Sequence, residues 1–383
     1  MKGMPLFVAL LLELPMILSP SLPDFSEQTI ATNLTGGYQV IAADLNRDGR
    51  PDLIALASGM PDLVWFENPT WERHLIATGF SQMINLAVIE SATQPVIVLA
   101  SEFSNDARKS QGIVSVLEPA GDVRAPWRVT EIDRLPTSHR LLVADIEGKG
   151  ARVVVNAPLS GAGVTPPDYQ GSVPLVFYKP GEWKRRLIGA ETRGVMHGIH
   201  VIDWDGDGRD EILTASFEGI HLYKLGGGGS WARSELAKGD PAPWPKCGSS
   251  DVAVGVFGRR RFLCAIEPWH GNQVAVYRQE AGSWIRQVID DSYVDGHVLR
   301  TADLNGDGRS EVIAGHRGSG GAVYIYVAVD EEGRRWERRA LDRGGIAAAS
   351  CAVADLNGDG TPDIACIGSA SANLKWYQNL QNR

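Results

Sequence analysis

Three of the eight histidines in this 383-residue chain, His139, His197 and His297, each stand six residues ahead of an aspartate: Asp145, Asp203 and Asp303. The same count back from Asp44 and Asp355 reaches Tyr38 and Ala349, and the equivalent positions in two further units are Gln82 and Ser250. Imidazole ligates divalent metals and titrates near neutral pH, so histidines recurring at one structural position can converge on one ion or one reacting atom. His139, His197 and His297, with Glu102 and Glu267, are the expected ligands of a catalytic Zn2+, Mn2+ or Mg2+. His270 and His316 are expected as acid–base groups or auxiliary ligands, and Arg140 or Arg317 as the cation that steadies developing negative charge. Tyr169 or Tyr293 is the expected proton donor. His200, three residues past His197, is expected to point away from it. His74 and His221 read as structural.

Such convergence requires inner strands arranged about an axis, and the sequence supplies them. A short segment, aromatic first and aliphatic last, recurs seven times: FSEQTI (25–30), WERHLI (71–76), WRVTEI (127–132), WKRRLI (183–188), WARSEL (231–236), WIRQVI (284–289) and WERRAL (336–341). Between copies lie three more strand-like runs, clearest at 297–341, where HVLRTAD, EVIAG, AVYIYVAV and WERRAL follow one another. These runs alternate with the period of two expected of half-buried strands. The fold predicted is all-β: a seven-bladed β-propeller with four antiparallel strands per blade. The chain stops after the third strand of the last blade, and residues 25–30 lack a blade of their own. They should therefore close the ring as its outer strand, removing an open edge.

Four turns between first and second strands carry a second signature: DLNRDGRPD (44–52), DWDGDGRDE (203–211), DLNGDGRSE (303–311) and DLNGDGTPD (355–363). Their oxygen-bearing side chains are Asp44, Asn46, Asp48, Asp52; Asp203, Asp205, Asp207, Glu211; Asp303, Asn305, Asp307, Glu311; and Asp355, Asn357, Asp359, Asp363. Clustered oxygens at positions 1, 3, 5 and 9, with glycine at 6, suit structural Ca2+. Blade three keeps only Asp145 and Glu147 and places Lys149 where a ligand belongs, and blades two and five lack the pattern.

Composition excludes several classes. A net charge of −9 disfavours nucleic acid and anionic membrane as partners. Residues 1–22 have the length of a signal-peptide core but contain Glu13, so they read as an export signal or an N-terminal extension preceding a single domain at 23–383, and the expected location is secreted or periplasmic. Of the four cysteines, Cys247, Cys264, Cys351 and Cys366, the last two face each other across a predicted hairpin, where a disulfide and two free thiols both fit. There is no G-x-S-x-G elbow and no phosphate-binding glycine loop.

The segments ADLNGDGRSEVIAG (302–315) and VADLNGDGTPDIACIG (353–368) resemble the FG-GAP and VCBS repeat families, which implies a propeller with calcium in these turns. MHGIHVIDWDGDGRDEI (196–212) and DGHVLRTADLNGDGRSEV (295–312) resemble the propeller part of the aldos-2-ulose dehydratase group. That resemblance implies a metal-assisted lyase or dehydratase acting on a keto-sugar or uronate, with a small carbohydrate as partner. The cupin-type portion of that group has no counterpart here. The alternative is a non-catalytic, calcium-stiffened module that binds a glycan or a protein partner.

Overall fold

The computed structural model describes residues 22–91 and 93–381. It contains seven four-stranded antiparallel sheets around a central channel, and no helix occurs among the described residues. From the axis outward, blade one comprises Gly37–Ala43, Asp52–Ala57, Leu63–Glu67 and Glu72–Ala77, and the later blades repeat this order. Residues 1–22, read as an export signal or an N-terminal extension, lie almost wholly outside the described residues. Phe25–Ala31 pairs antiparallel with Leu374–Asn379 and completes blade seven, as expected from its isolated position in the sequence.

Burial explains the strand patterns. Second strands are sandwiched between neighbouring blades, so Asp52–Ala57, Glu211–Ser216 and Asp363–Gly368 are buried along their whole length. Outer strands such as Arg128–Arg134 face water over most of theirs. Apolar side chains thereby form clusters in the gaps between blades, the driving force for which is roughly proportional to apolar area removed from water. The recurrent leading aromatic belongs to these gaps. Trp336 packs on Phe257 and Phe262 of the preceding blade, Trp71 on Trp376, and Trp284 on Trp204. Phe25 does the same for blade seven.

A polar staple joins blades at the opposite rim. The hydroxyls of Tyr178, Tyr326 and Tyr377 each donate at 2.7 Å to an aspartate that ends the previous blade's outer strand: Asp133, Asp290 and Asp342. Arg185, Arg338 and Lys375 pair with the same carboxylates. Blade four ends its outer strand at Ala237, without such an acid. Glu267 fills the role instead, receiving Tyr277, Ser249 and Arg286. Cys351 and Cys366 pair across the first two strands of blade seven and are disulfide-bonded, whereas Cys247 and Cys264 are free.

Candidate functional site

The inner strands are not regular where they begin. Register shifts leave Tyr38, His139, His197, His297 and Ala349 unpaired in blades one, three, four, six and seven. The position that repeats in the sequence is a β-bulge, a device that re-aims a side chain without ending the sheet. Each bulged residue turns toward the axis at the mouth opposite the acidic turns. The bulge also resets the alternation, so His200 faces the channel too, contrary to the expectation from simple counting.

His197 and His297 meet across the axis although blade five separates them, their ring centroids 5.3 Å apart. Blade five contributes His270, on the loop following Glu267, with its ring 4.7 Å from His197 and 5.3 Å from His297. One ring nitrogen from each of His197, His270 and His297 lies within 4.8 Å of the others, and Nε2 of His197 and Nε2 of His270 are 3.0 Å apart. Hydrogen bonds fix the tautomers. Nδ1 of His197 donates to the Ser250 carbonyl at 3.0 Å, and Nδ1 of His297 to the Ala349 carbonyl at 2.6 Å. Nδ1 of His270 lies 3.1 Å from Oδ1 of Asp295. An Arg317 amine, which can only donate, is 3.2 Å from the same nitrogen, and Nε of Arg317 donates to Oδ2 of Asp295 at 2.8 Å, while Oδ1 of Asp295 makes no hydrogen bond.

With the Nδ1–H groups of His197 and His297 engaged, their Nε2 atoms carry lone pairs that face the His270 ring, and Nε2 of His297 is buried without a partner. Such a set can receive a cation, or a proton shared between His197 and His270 across their 3.0 Å contact. The 3.0 Å spacing matches neighbouring ligands of one ion, which are about 3.0–3.4 Å apart when bonds are about 2.1 Å. Burial, reinforced by the positive charge of Arg140, lowers the basicity of His197 far below that of a free imidazole, and burial with Arg317 and Arg140 does so for His297. Both are neutral, as ligands must be. Burial would raise Asp295, but His270 and Arg317 overcome it and hold the acid at about 2. An ionised carboxylate behind a ligating histidine orients the ring and increases its donor strength.

His139 adjoins this trio without joining it. Its ring is 4.7 Å from that of His197, but its Nε2 lies 3.0 Å from the Tyr38 hydroxyl. Tyr38 lies against His297, and the Arg140 and Arg317 guanidinium carbons are 5.7 and 5.9 Å from its ring centre. Arg140 is held by the carbonyl of His197 at 3.0 Å. Below the histidines a channel of about 510 Å³ continues past Asp251, Arg300 and His200. Phe103, from the blade-two loop, covers His139, while Trp269 covers His270 and leaves its own buried Nε1 without an acceptor.

Other expected participants stand elsewhere. Glu267 is engaged by the staple. Glu102 shapes its loop through its carbonyl, which accepts from Ser110, Gln111 and Gly112. Tyr169 is buried in an aromatic rim against Phe217 and Trp269, where burial pushes its hydroxyl up. Tyr293 donates to the Ala314 carbonyl and packs on His316, so both belong to the wall between blades five and six. Sequence reasoning missed Asp295, which stands two residues before His297, and left Tyr38 without a role although it occupies the repeated position. His74 bonds Glu67 and lies over Trp65, a structural setting.

In the acidic turns, the first aspartate accepts backbone N–H groups from positions 5 and 6, as in Asp44 with Asp48 and Gly49. The sixth-position glycines have positive φ, 81° to 88° in the four acidic turns. The ninth acid accepts the N–H of position 2: Asp52 from Leu45, Glu211 from Trp204, Glu311 from Leu304 and Asp363 from Leu356. Asp145 makes the same turn in blade three without the full acid set. Burial raises Glu311 to about 8, and Asp52 and Asp363 to about 6, with neighbouring turn aspartates adding to the effect. Blade four differs because Lys224 extends into its turn, pairing with Asp205, Asp207 and Glu211.

Comparison with known proteins agrees with the fold. A family model for the β-propeller domain of aldos-2-ulose dehydratase matches residues 111–280, and one for an FG-GAP-like repeat matches 303–366. The chain is 28% identical over 295 residues to aldos-2-ulose dehydratase of Phanerodontia chrysosporium, which covers 67% of this chain and 32% of that enzyme. It thus spans about a third of the relative's length, and it is a propeller distantly related to that of a carbohydrate dehydratase. Among solved structures, the WD40 propeller domain of Doa1 superposes with a TM-score of 0.56 at 11% identity, covering 92% of this chain and 97% of that one. A putative 6-phosphogluconolactonase from Bacteroides fragilis gives 0.52 at 14%, covering 91% and 97%. These two likenesses concern the fold alone.

Proposed function

We propose that this propeller is a carbon–oxygen lyase that removes water from a keto-sugar or uronate, with a divalent ion held by His197, His270 and His297. The observation that carries the reading is the convergence of one ring nitrogen from each of His197, His270 and His297 within 4.8 Å, with His197 and His297 held by backbone carbonyls and His270 beside Asp295. The ion, when bound, polarises the substrate carbonyl and acidifies the adjacent C–H. Tyr38 and His139 are the chain's proton-handling pair: neutral His139, reached through the Tyr38 hydroxyl at 3.0 Å, takes up the proton from carbon. The same pair returns it to the departing hydroxyl, which leaves as water, so no net proton is consumed. Arg140 lies near enough to oppose the negative charge that develops on oxygen. Phe103 and Trp269 restrict water, and the free Trp269 N–H offers the sugar a donor. The distant similarity to a dehydratase supports this reading, and the disulfide is in keeping with an exported protein.

Purified protein loaded with Zn2+, Mn2+ or Mg2+ should convert a keto-sugar or uronate to an unsaturated carbonyl product, followed by ultraviolet absorbance. The rate should vanish on chelation and return with metal. If fully metal-loaded protein leaves a panel of both substrate types unchanged, the non-catalytic glycan-binding module becomes the better account.

Structural Ca2+ is proposed for the turns at 44–52, 203–211, 303–311 and 355–363; in 203–211 one oxygen from each of Asp203, Asp205 and Glu211 lies within 4.8 Å of the others, and Lys224 stands where an ion would have to displace it. Ligand bound only to the folded state stabilises by about 2.7 kcal/mol at a hundredfold excess over Kd. Adding Ca2+ to chelated protein should raise Tm by several degrees, and Asp303→Asn combined with Asp307→Asn should reduce that rise. An unchanged Tm at saturating Ca2+ leaves these segments as turns only.

A further inference from the structure

Blade five lacks the acidic turn, and what replaces it is Gly258-Arg259-Arg260-Arg261. On this face, away from the histidines, a groove of about 710 Å³ opens between blades four, five and six. Its walls carry Arg259, Arg260, Arg261, Arg278 and Arg334 against Glu280 and Glu332, an excess of positive charge on a chain whose net charge is −9. Trp204 and Trp284 also line it, half-exposed, with ring centroids 6.1 Å apart. Arg261 is committed to the fold: it lies over Trp204 at 5.3 Å and donates to the carbonyls of Asp203 and Trp204. The others retain donor capacity. Arg278 reaches Glu280 with one amine, yet its buried Nε has no acceptor, and Arg260 contacts only the carbonyl of Glu331.

We propose that this groove binds an anionic oligosaccharide, with sugar rings against Trp204 and Trp284 and acid groups on Arg259, Arg260, Arg278 and Arg334. Indole faces stack on the C–H surface of a pyranose, while planar guanidinium groups match carboxylate or sulfate bidentately. Neither feature alone selects such a ligand, but together they recognise the sugar and its charge. The volume falls within the roughly 300–1,000 Å³ of ligand sites. Nucleic acid uses similar groups but requires a longer positive track, which the acidic remainder of the chain does not provide. The proposal is independent of chemistry at the opposite mouth.

Calorimetric titration with an oligogalacturonate, a sulfated dextran oligomer, a neutral dextran oligomer and a single-stranded DNA of similar charge tests it. Binding of either acidic sugar, but neither neutral dextran nor DNA, is expected, and the stronger of the two identifies the acid preferred. Arg259→Glu and Trp284→Ala should each weaken that binding at least tenfold, and Arg259→Glu, whose side chain is exposed, should leave Tm unchanged. The proposal is overturned if wild-type protein binds neither acidic sugar, if DNA binds as tightly as the sugars, or if Arg259→Glu leaves affinity intact.

Discussion

Protein purified with His197, His270 or His297 replaced by alanine should contain almost none of the divalent metal proposed for the wild type, and should lose the proposed elimination activity at least a hundredfold. The three imidazoles converge, His197 and His297 held by the carbonyls of Ser250 and Ala349 and His270 beside Asp295, so each loss would leave the proposed ion only two of them. Asp295→Asn should be milder, lowering metal affinity by about 10–100-fold, the usual cost of losing the partner behind a ligating histidine. His139→Ala separates the roles. It should retain metal and lose turnover, because its Nε2 serves the Tyr38 hydroxyl. Metal analysis beside activity decides the matter: His197→Ala or His270→Ala with an undiminished metal content, or His139→Ala that loses its metal, would contradict this assignment.

Removing residues 1–31 should have the largest effect on stability. The deletion strips Phe25–Ala31 from Leu374–Asn379, together with the apolar contacts of the partly buried Leu22, Phe25 and Ile30 and the Glu27–Lys375 pair. At about 1 kcal/mol for each lost ladder hydrogen bond, the strand contributes on the order of 5 kcal/mol before apolar burial is added. Folded chains retain only about 5–15 kcal/mol in all. Tm should fall by about 10 °C or more, and the bared edge of blade seven should promote association. Adding a peptide of residues 22–32 should restore part of the loss. A truncated chain that melts like the full one would show that this strand is dispensable.

Much of this arrangement was legible in the residues. The seven aromatic-led segments mark outer strands because each aromatic reaches back to the preceding blade, and the orphan first copy located the closure. The histidine position was legible as well, since His139, His197 and His297 keep one distance from their turns. What could not be read was how far apart those positions lie across the axis, because that depends on blade packing. The bulge was hidden for a related reason: alternation counted along His197 to His200 assumes an unbroken ladder. Glu267 was misjudged because its chemistry fits a metal site, while its actual partners, Tyr277 and Arg286, come from neighbouring strands. Asp295 escaped notice because its relation to His270 exists only once two loops of different blades are side by side. In the turns, the ninth-position acid has a backbone to hold, so its recurrence does not by itself signify an ion.

The bulges separate what folds the ring from what equips it. Tyr38, His139, His197, His297 and Ala349 stand outside the strand pairing, so exchanging one side chain there leaves the ladder of its blade untouched. They act as five interchangeable sockets around one rim. A copied blade carries its socket with it, and a point mutation refits the socket without rebuilding the wall. New ligand sets and proton-handling pairs can therefore be tried one blade at a time, and Ala349, the smallest occupant, is the vacant place where a designer would begin.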